Sequence, residues 1–168
     1  GFTPNKLTFR RPGKRGADRE LEEIPEERAR RHARLGGLLR ARRRLVAAAT
    51  EYQRAQALLG REDPVLANRL GRTYLEMGDA SRAAAAVEPV LALYPDLPGP
   101  LATAGTAYLR RKDYARAGEL LRSALRLSPF DPDVHCGLWE VYRQQGASVL
   151  GDREHRFCTM LSEGEEEP

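Results

Sequence analysis

Apolar residues recur along most of the chain at the three- and four-residue spacing of amphipathic helices, and turn signals interrupt this pattern at regular intervals. Asp63-Pro64 and Asp131-Pro132 each place a capping carboxylate before a proline that suits the first position of a helix. Gly78 and Gly146 follow the last apolar residue of a segment, where a helix end favours a left-handed residue. The pattern therefore predicts pairs of helices joined by tight turns.

This two-helix unit repeats along the chain with one fixed period. The stretch LGRTYLEMGD at 70–79 returns as AGTAYLRRKD at 104–113, with Gly, Tyr, Leu and Asp in register. Small residues share the period, and they mark where paired helices approach closely: Gly36, Gly71 and Gly105 on the first helices, and Ala48, Ala83, Ala117 and Gly151 on the second helices. In the fourth unit Trp139 takes the small position, and we expect Gly151 and Cys158 to make room for it.

The repeat resembles the tetratricopeptide repeat, whose units carry Leu-Gly, an aromatic residue, two alanines and a late proline. The matching residues include Leu70-Gly71, Tyr74, Ala83 and Pro95 in repeat two, and Gly105, Tyr108, Tyr114, Ala117, Ala124 and Pro129 in repeat three. The resemblance covers about residues 29–161. It implies an all-α fold, a right-handed superhelical stack of three to four helix-turn-helix hairpins plus a capping helix, with a concave groove lined by the first helix of each repeat. Repeat one carries Arg43 in place of the turn glycine, and the degenerate fourth repeat suits a terminal cap.

The sequence divides into three parts. We predict a basic arm with Pro and Gly at 1–24, a repeat domain at 25–161 and an acidic tail at 162–168. The arm is interpreted as a linker or tail, because its prolines and glycines argue against a helix. The alternative is that it docks on a partner or on the groove.

Length and hydrophobicity limit the class of protein. The 168 residues, 41% of them hydrophobic, are enough for one domain with a core. No apolar run is long enough to cross a bilayer, so no membrane span is predicted. The segment 1–20 lacks the apolar stretch of a signal peptide, which favours the cytoplasm. The initial Gly indicates a fragment, a processed product or a chain from which a tag was cleaved, any of which can lack the original targeting signal, so the compartment stays open.

The charge distribution offers a competing function. Residues 6–44 hold 14 Lys or Arg and six acids, whereas the C-terminal segment 151–168 holds two Arg and six acids. A basic region of this size can hold phosphates, which makes nucleic-acid binding the second alternative. Nucleic acid is nevertheless the less favoured partner, because no aromatic platform is interleaved with the Arg residues.

Signals for catalysis, cofactors and metals are absent from the sequence. There is no phosphate-binding loop, nucleophile elbow or zinc motif, so we predict a protein that is not an enzyme and has no cofactor. His32, His135 and His155 fall on framework positions, which favours helix-interface roles over metal binding. Cys136 is expected in the groove as a free thiol and Cys158 as a small core residue, with a disulfide between them as the minor alternative.

The family resemblance also implies which residues face a partner. Members that clamp a chaperone's C-terminal carboxylate use paired basic and amide residues, but those positions hold Ala33, Gly37, Ala102 and Thr103 here, and only Asn68 fits. We therefore predict a non-catalytic scaffold or adaptor that binds another protein or peptide, one with acidic groups. An accessory domain of a larger enzyme or membrane assembly is the alternative. The expected groove residues are Asn68, Arg72, Leu75, Leu109, Arg110, Arg40 and Arg143.

Overall fold

In the computed structural model, which describes residues 24–163, that range forms eight α-helices and no strand. The helices are α1 (Pro25–Ala41), α2 (Leu45–Leu59), α3 (Pro64–Glu76), α4 (Ala80–Leu93), α5 (Pro98–Arg110), α6 (Tyr114–Leu127), α7 (Pro132–Gln144) and α8 (Ser148–Glu163). They pair as four hairpins, and each hairpin packs on the next. The predicted all-α stack of helical hairpins is confirmed. The predicted basic arm lies almost wholly outside the described residues.

Four aspartates start helices, among them Asp63 and Asp131 as predicted. Each side chain accepts a hydrogen bond from a backbone N–H of the first turn, and the four caps are Asp63, Asp79, Asp113 and Asp131. A cap of this kind stabilises a helix by about 1 kcal/mol. The caps therefore fix where α3, α4, α6 and α7 begin.

The turn inside each repeat needs a left-handed residue. Gly78 and Gly146 fill this place with φ values of +81° and +72°, as predicted. Arg43 and Lys112 fill it in repeats one and three, with φ values of +60° and +64°. Because a side chain crowds the backbone in this conformation, each costs about 1 kcal/mol relative to glycine.

Small residues set the helix-to-helix distances. A Cβ on Gly36 would lie 2.8 Å from the Tyr52 ring, and one on Gly105 would lie 2.7 Å from Leu121 Cγ. The alanines at the second small position, Ala48, Ala83 and Ala117, are fully buried. The predicted register is therefore confirmed in repeats one to three.

The fourth repeat departs from the prediction. Trp139 is half-buried and stacks on His155 with ring centroids 4.2 Å apart. Gly151 lies beside it, but Cys158 is bonded to Cys136 instead of making room for the indole. No further repeat of the described chain covers α8, so Trp139 packs at the edge of the stack.

Candidate functional site

The first helices of repeats two to four, α3, α5 and α7, line a concave cavity of about 420 Å³, which we call the groove. Small residues form much of its floor, among them Gly99, Ala102, Thr106 and Gly137. Because their side chains end close to the backbone, they leave space between the helices. The groove is thus wide enough to admit the side chains of another chain.

Five of the seven predicted binding residues lie on the wall of the groove: Asn68, Arg72, Leu75, Leu109 and Arg110. Leu75 is only 9% exposed, so it presents little apolar surface. Leu109 is half-buried and presents more. The apolar part of the groove therefore lies mainly on α5.

Asn68 joins two walls of the groove. Its Oδ1 accepts a hydrogen bond of 2.7 Å from Thr103 Oγ1, which ties α3 to α5. A Cβ on Gly99 would lie 2.8 Å from Asn68 Nδ2, so the amide rests over bare backbone. The Nδ2 group makes no hydrogen bond within residues 24–163 and is left to donate to a ligand.

The two groove arginines differ in their surroundings. Arg72 is exposed and forms no ion pair with any described residue. Arg110 is also exposed, but its Nη1 donates to the Leu75 carbonyl and links the ends of α5 and α3. Both side chains are exposed as expected, but Arg110 is tied to the backbone of α3. Its charge and its other N–H donors still face the groove.

Arg40 and Arg143, the other two predicted residues, do not line the groove. Arg40 lies 2.5 Å from a carboxylate oxygen of Glu76, which also pairs with Arg43 at 2.8 Å. Arg143 pairs with Glu140 on its own helix at 2.7 Å. The hydrogen bond from Gln144, with a smaller effect of Arg143, lowers the pKa of the Glu140 carboxyl, although partial burial acts to raise it. Both arginines are held by neighbouring acids, which already compensate their charges.

Charge is divided between the two sides of the groove. Arg72 and Arg110 stand on the α3 and α5 side, where Glu76 is already paired with Arg40 and Arg43, whereas Asp131 and Asp133 stand at the start of α7. A bound chain would therefore meet positive charge at one side and negative charge at the other. The set of binding residues predicted from the sequence contained no acid, so these two aspartates are additions to it.

Cys136 lines the groove and is bonded to Cys158, with the two Cα atoms 4.8 Å apart. The expected free thiol is therefore wrong. The two residues are equidistant from Ala147 in the turn between α7 and α8, so they face each other across the hairpin. That symmetry about the turn was the signal in the sequence.

We expect the disulfide to stabilise the last hairpin. Cys136→Ser combined with Cys158→Ser should lower the free energy of unfolding by about 2 kcal/mol, because the bond closes a loop of 22 residues in the unfolded chain. Urea titrations of both proteins measure the difference. Under reducing conditions the wild type should fall to the stability of the variant, and a wild type that is unaffected by reduction would contradict the bond.

Histidine–glutamate pairs occupy the same place in the first and last repeats. His32 Nδ1 lies 2.5 Å from Glu51, and His135 Nδ1 lies 2.6 Å from Glu154. The interface role of these histidines is confirmed, but their acidic partners were missed. The hydrogen bond with His32, together with the charge of Arg54, lowers the pKa of the Glu51 carboxyl. Residues 24–163 contain no cluster of three groups suited to hold a metal.

None of the helices in the described part is long and apolar enough to cross a bilayer. The candidate site is the groove. Its lining offers a ligand the hydrogen-bond donors and cations of Asn68, Arg72 and Arg110.

Comparison with known proteins agrees with this architecture. A family model described as "Tetratricopeptide repeat" matches residues 68–132. A thermophilic TPR protein of Thermus thermophilus is 23% identical, with a TM-score of 0.70 over 80% of this chain and 75% of that chain. MamA 41-end from Desulfovibrio magneticus RS-1 is 16% identical, with a TM-score of 0.69 over 83% of this chain and 78% of that one. The first TPR of Spaghetti (RPAP3), bound to HSP90 peptide SRMEEVD, is 15% identical, with a TM-score of 0.68 over 72% of this chain and 95% of that chain. No curated protein matches the chain.

Proposed function

We propose that this chain, whose repeats are tetratricopeptide repeats, is a non-catalytic scaffold or adaptor that holds a segment of a partner protein in the groove. The tetratricopeptide fold generally mediates protein–protein interactions, and such domains are typically not catalytic. The observation that carries the proposal is the cavity of about 420 Å³ between α3, α5 and α7. It brings the unbonded Nδ2 group of Asn68, the unpaired guanidinium of Arg72 and the apolar side chain of Leu109 to one concave surface.

The partner segment is proposed to be acidic where it crosses α3 and α5. Arg72 would pair with a carboxylate, and Asn68 Nδ2 would donate to the backbone of the segment. One structural neighbour is bound to a peptide, SRMEEVD, which contains two adjacent glutamates. The pairs that would clamp a chaperone's C-terminal carboxylate are missing at Ala33 and Gly37, so we propose an internal acidic segment instead.

An accessory role within a larger enzyme or membrane assembly would use the same groove. In that case the bound segment would belong to the assembly. Partners captured by affinity purification and identified by mass spectrometry separate the two roles, because an adaptor returns independent proteins and an accessory domain returns the subunits of one assembly.

The groove is tested by Arg72→Glu, which places negative charge opposite the proposed acidic segment. We expect binding to a captured partner to weaken about tenfold, which corresponds to about 1.4 kcal/mol for one charge-assisted contact. Arg72 is the better choice than Arg110, because Arg110 also bonds to the Leu75 carbonyl. Isothermal calorimetry measures the affinity.

Arg69→Glu is the matched control. Arg69 lies on α3, is exposed and is not part of the groove lining, so the variant has the same change of net charge. Its affinity should stay within twofold of the wild type. Equal losses in the two variants would mean that net charge, not the groove, determines binding.

A further inference from the structure

A second surface is formed by the turns inside the first three repeats, residues 42–44, 77–79 and 111–113, which we call the basic edge. These turns lie side by side. Arg43 of the first turn pairs with Glu76 at the start of the second, and Arg110 beside the third turn bonds to the Leu75 carbonyl. The side chains of Arg42, Arg44, Arg111 and Lys112 are exposed along this edge.

The positive charge of the basic edge is only partly compensated. Glu76 is paired with Arg40 and Arg43, and Asp79 caps α4 and pairs with Arg82. Asp113 of the third turn caps α6 in the same way. By contrast, Arg42, Arg44 and Lys112 have no side-chain partner within residues 24–163. Three cations at this edge are therefore available to a ligand.

The backbone of two turns supplies a second observation. Arg43 and Lys112 are the two non-glycine residues with positive φ in the described chain. Gly78 and Gly146 hold the equivalent places, and a Cβ on either would meet nothing within 4 Å. The turn itself thus needs no side chain there. Two turns nevertheless carry a basic residue in a conformation that favours glycine, which indicates a role for the charge.

We propose that the basic edge is an interaction surface for an acidic polypeptide segment, separate from the groove. Arg42 and Arg44 form one anchor, and Lys112 forms the other. Beside Lys112, Arg111 adds a charge, although its guanidinium lies 5.1 Å from the Tyr108 ring centroid. The second turn between the anchors carries the capping carboxylate of Asp79. A segment with two separated acidic blocks would bridge the anchors and pass over this carboxylate.

The same features disfavour a nucleic acid at this edge. A continuous phosphate backbone would be repelled where it crosses the intervening carboxylates. Two neighbouring aromatic rings are also covered, since Arg82 lies 4.8 Å from the Tyr74 ring centroid and Arg116 lies 4.2 Å from that of Tyr108. Bases could therefore not stack on these two rings without displacing an arginine.

The test uses a fluorescein-labelled peptide with two triglutamate blocks joined by a Gly-Ser linker, and a single-block peptide as reference. In fluorescence anisotropy at low ionic strength, the two-block peptide should bind the wild type more tightly than the single block. Lys112→Gly combined with Arg42→Gln should weaken its binding about fivefold, since one cation is lost from each anchor. The melting temperature should not fall, because glycine suits the turn at residue 112.

Arg61→Gln combined with Arg69→Gln is the control, because it removes the same charge away from this edge. Its affinity for the two-block peptide should stay within twofold of the wild type. An equal loss in the control would overturn the proposal. Stronger binding of oligo-deoxythymidine or of phosphatidylglycerol vesicles at equal charge would overturn it in favour of nucleic acid or membrane.

Discussion

Gly71→Leu is expected to lower the free energy of unfolding by about 3 kcal/mol, the cost of overpacking a close-packed core. A Cβ at this position would lie 2.8 Å from Thr103 Cγ2, 3.0 Å from Val87 Cγ1 and 3.3 Å from the Ala83 carbonyl. Thr103 and Val87 are buried and belong to α5 and α4, so α3 would have to move away from both neighbours. Urea denaturation followed by circular dichroism measures the change.

Adjacent glycines in α1 provide the control. A Cβ on Gly36 would lie 2.8 Å from Tyr52 Cε1, whereas one on Gly37 would meet only Tyr52 Oη at 3.7 Å. Gly36→Ala should therefore destabilise the chain. Gly37→Ala should be neutral or stabilise it by up to about 1 kcal/mol, since alanine favours a helix. Equal effects at the two positions would contradict the packing register.

Most of the fold could be predicted because its determinants are local and repeated. Gly71 and Gly105 mark close approaches, and Asp63 and Asp131 mark helix starts, without knowledge of distant residues. A repeated unit then fixes the neighbour of each helix. The place of Asn68 and Arg72 on the groove wall followed from the same register, although their role in binding stays a prediction.

The links between helices could not be predicted in the same way. Arg110 reaches the Leu75 carbonyl, and Arg40 turns to Glu76 instead of the groove. A long arginine side chain has many rotamers, and its choice depends on partners that the repeat pattern does not specify. The bond between Cys136 and Cys158 was only the minor alternative for a different reason: the equal distances of the two residues from the turn favour it, but helix rotation also decides which residues of a hairpin face each other.

The buried pair of His135 and Glu154 occupies two repeat positions that hold apolar side chains in another repeat. The equivalent places in repeat three hold Leu101 and Leu120, which are apolar. In repeat four the two polar side chains are almost fully buried, and His135 Nε2 also lies 3.0 Å from the Pro129 carbonyl. The pair thus connects α7, α8 and the preceding loop, where the disulfide gives a second link.

His135→Ala is expected to lower the free energy of unfolding by about 4 kcal/mol, because it leaves Oε2 of the buried Glu154 carboxylate without its partner. Only Arg153 would still pair with Glu154, and the Arg153 side chain is 54% exposed.

The equivalent change in repeat one, His32→Ala, should cost only about 1 kcal/mol, because the His32 side chain is 30% exposed and water can replace it. Replacing both partners in repeat four, His135→Leu with Glu154→Leu, should restore stability to within about 1 kcal/mol of the wild type, since repeat three packs leucines there. Denaturant titrations of the four proteins give the differences. A double variant as unstable as His135→Ala would mean that the site needs the shape of histidine, and that the buried charge is not the source of the loss.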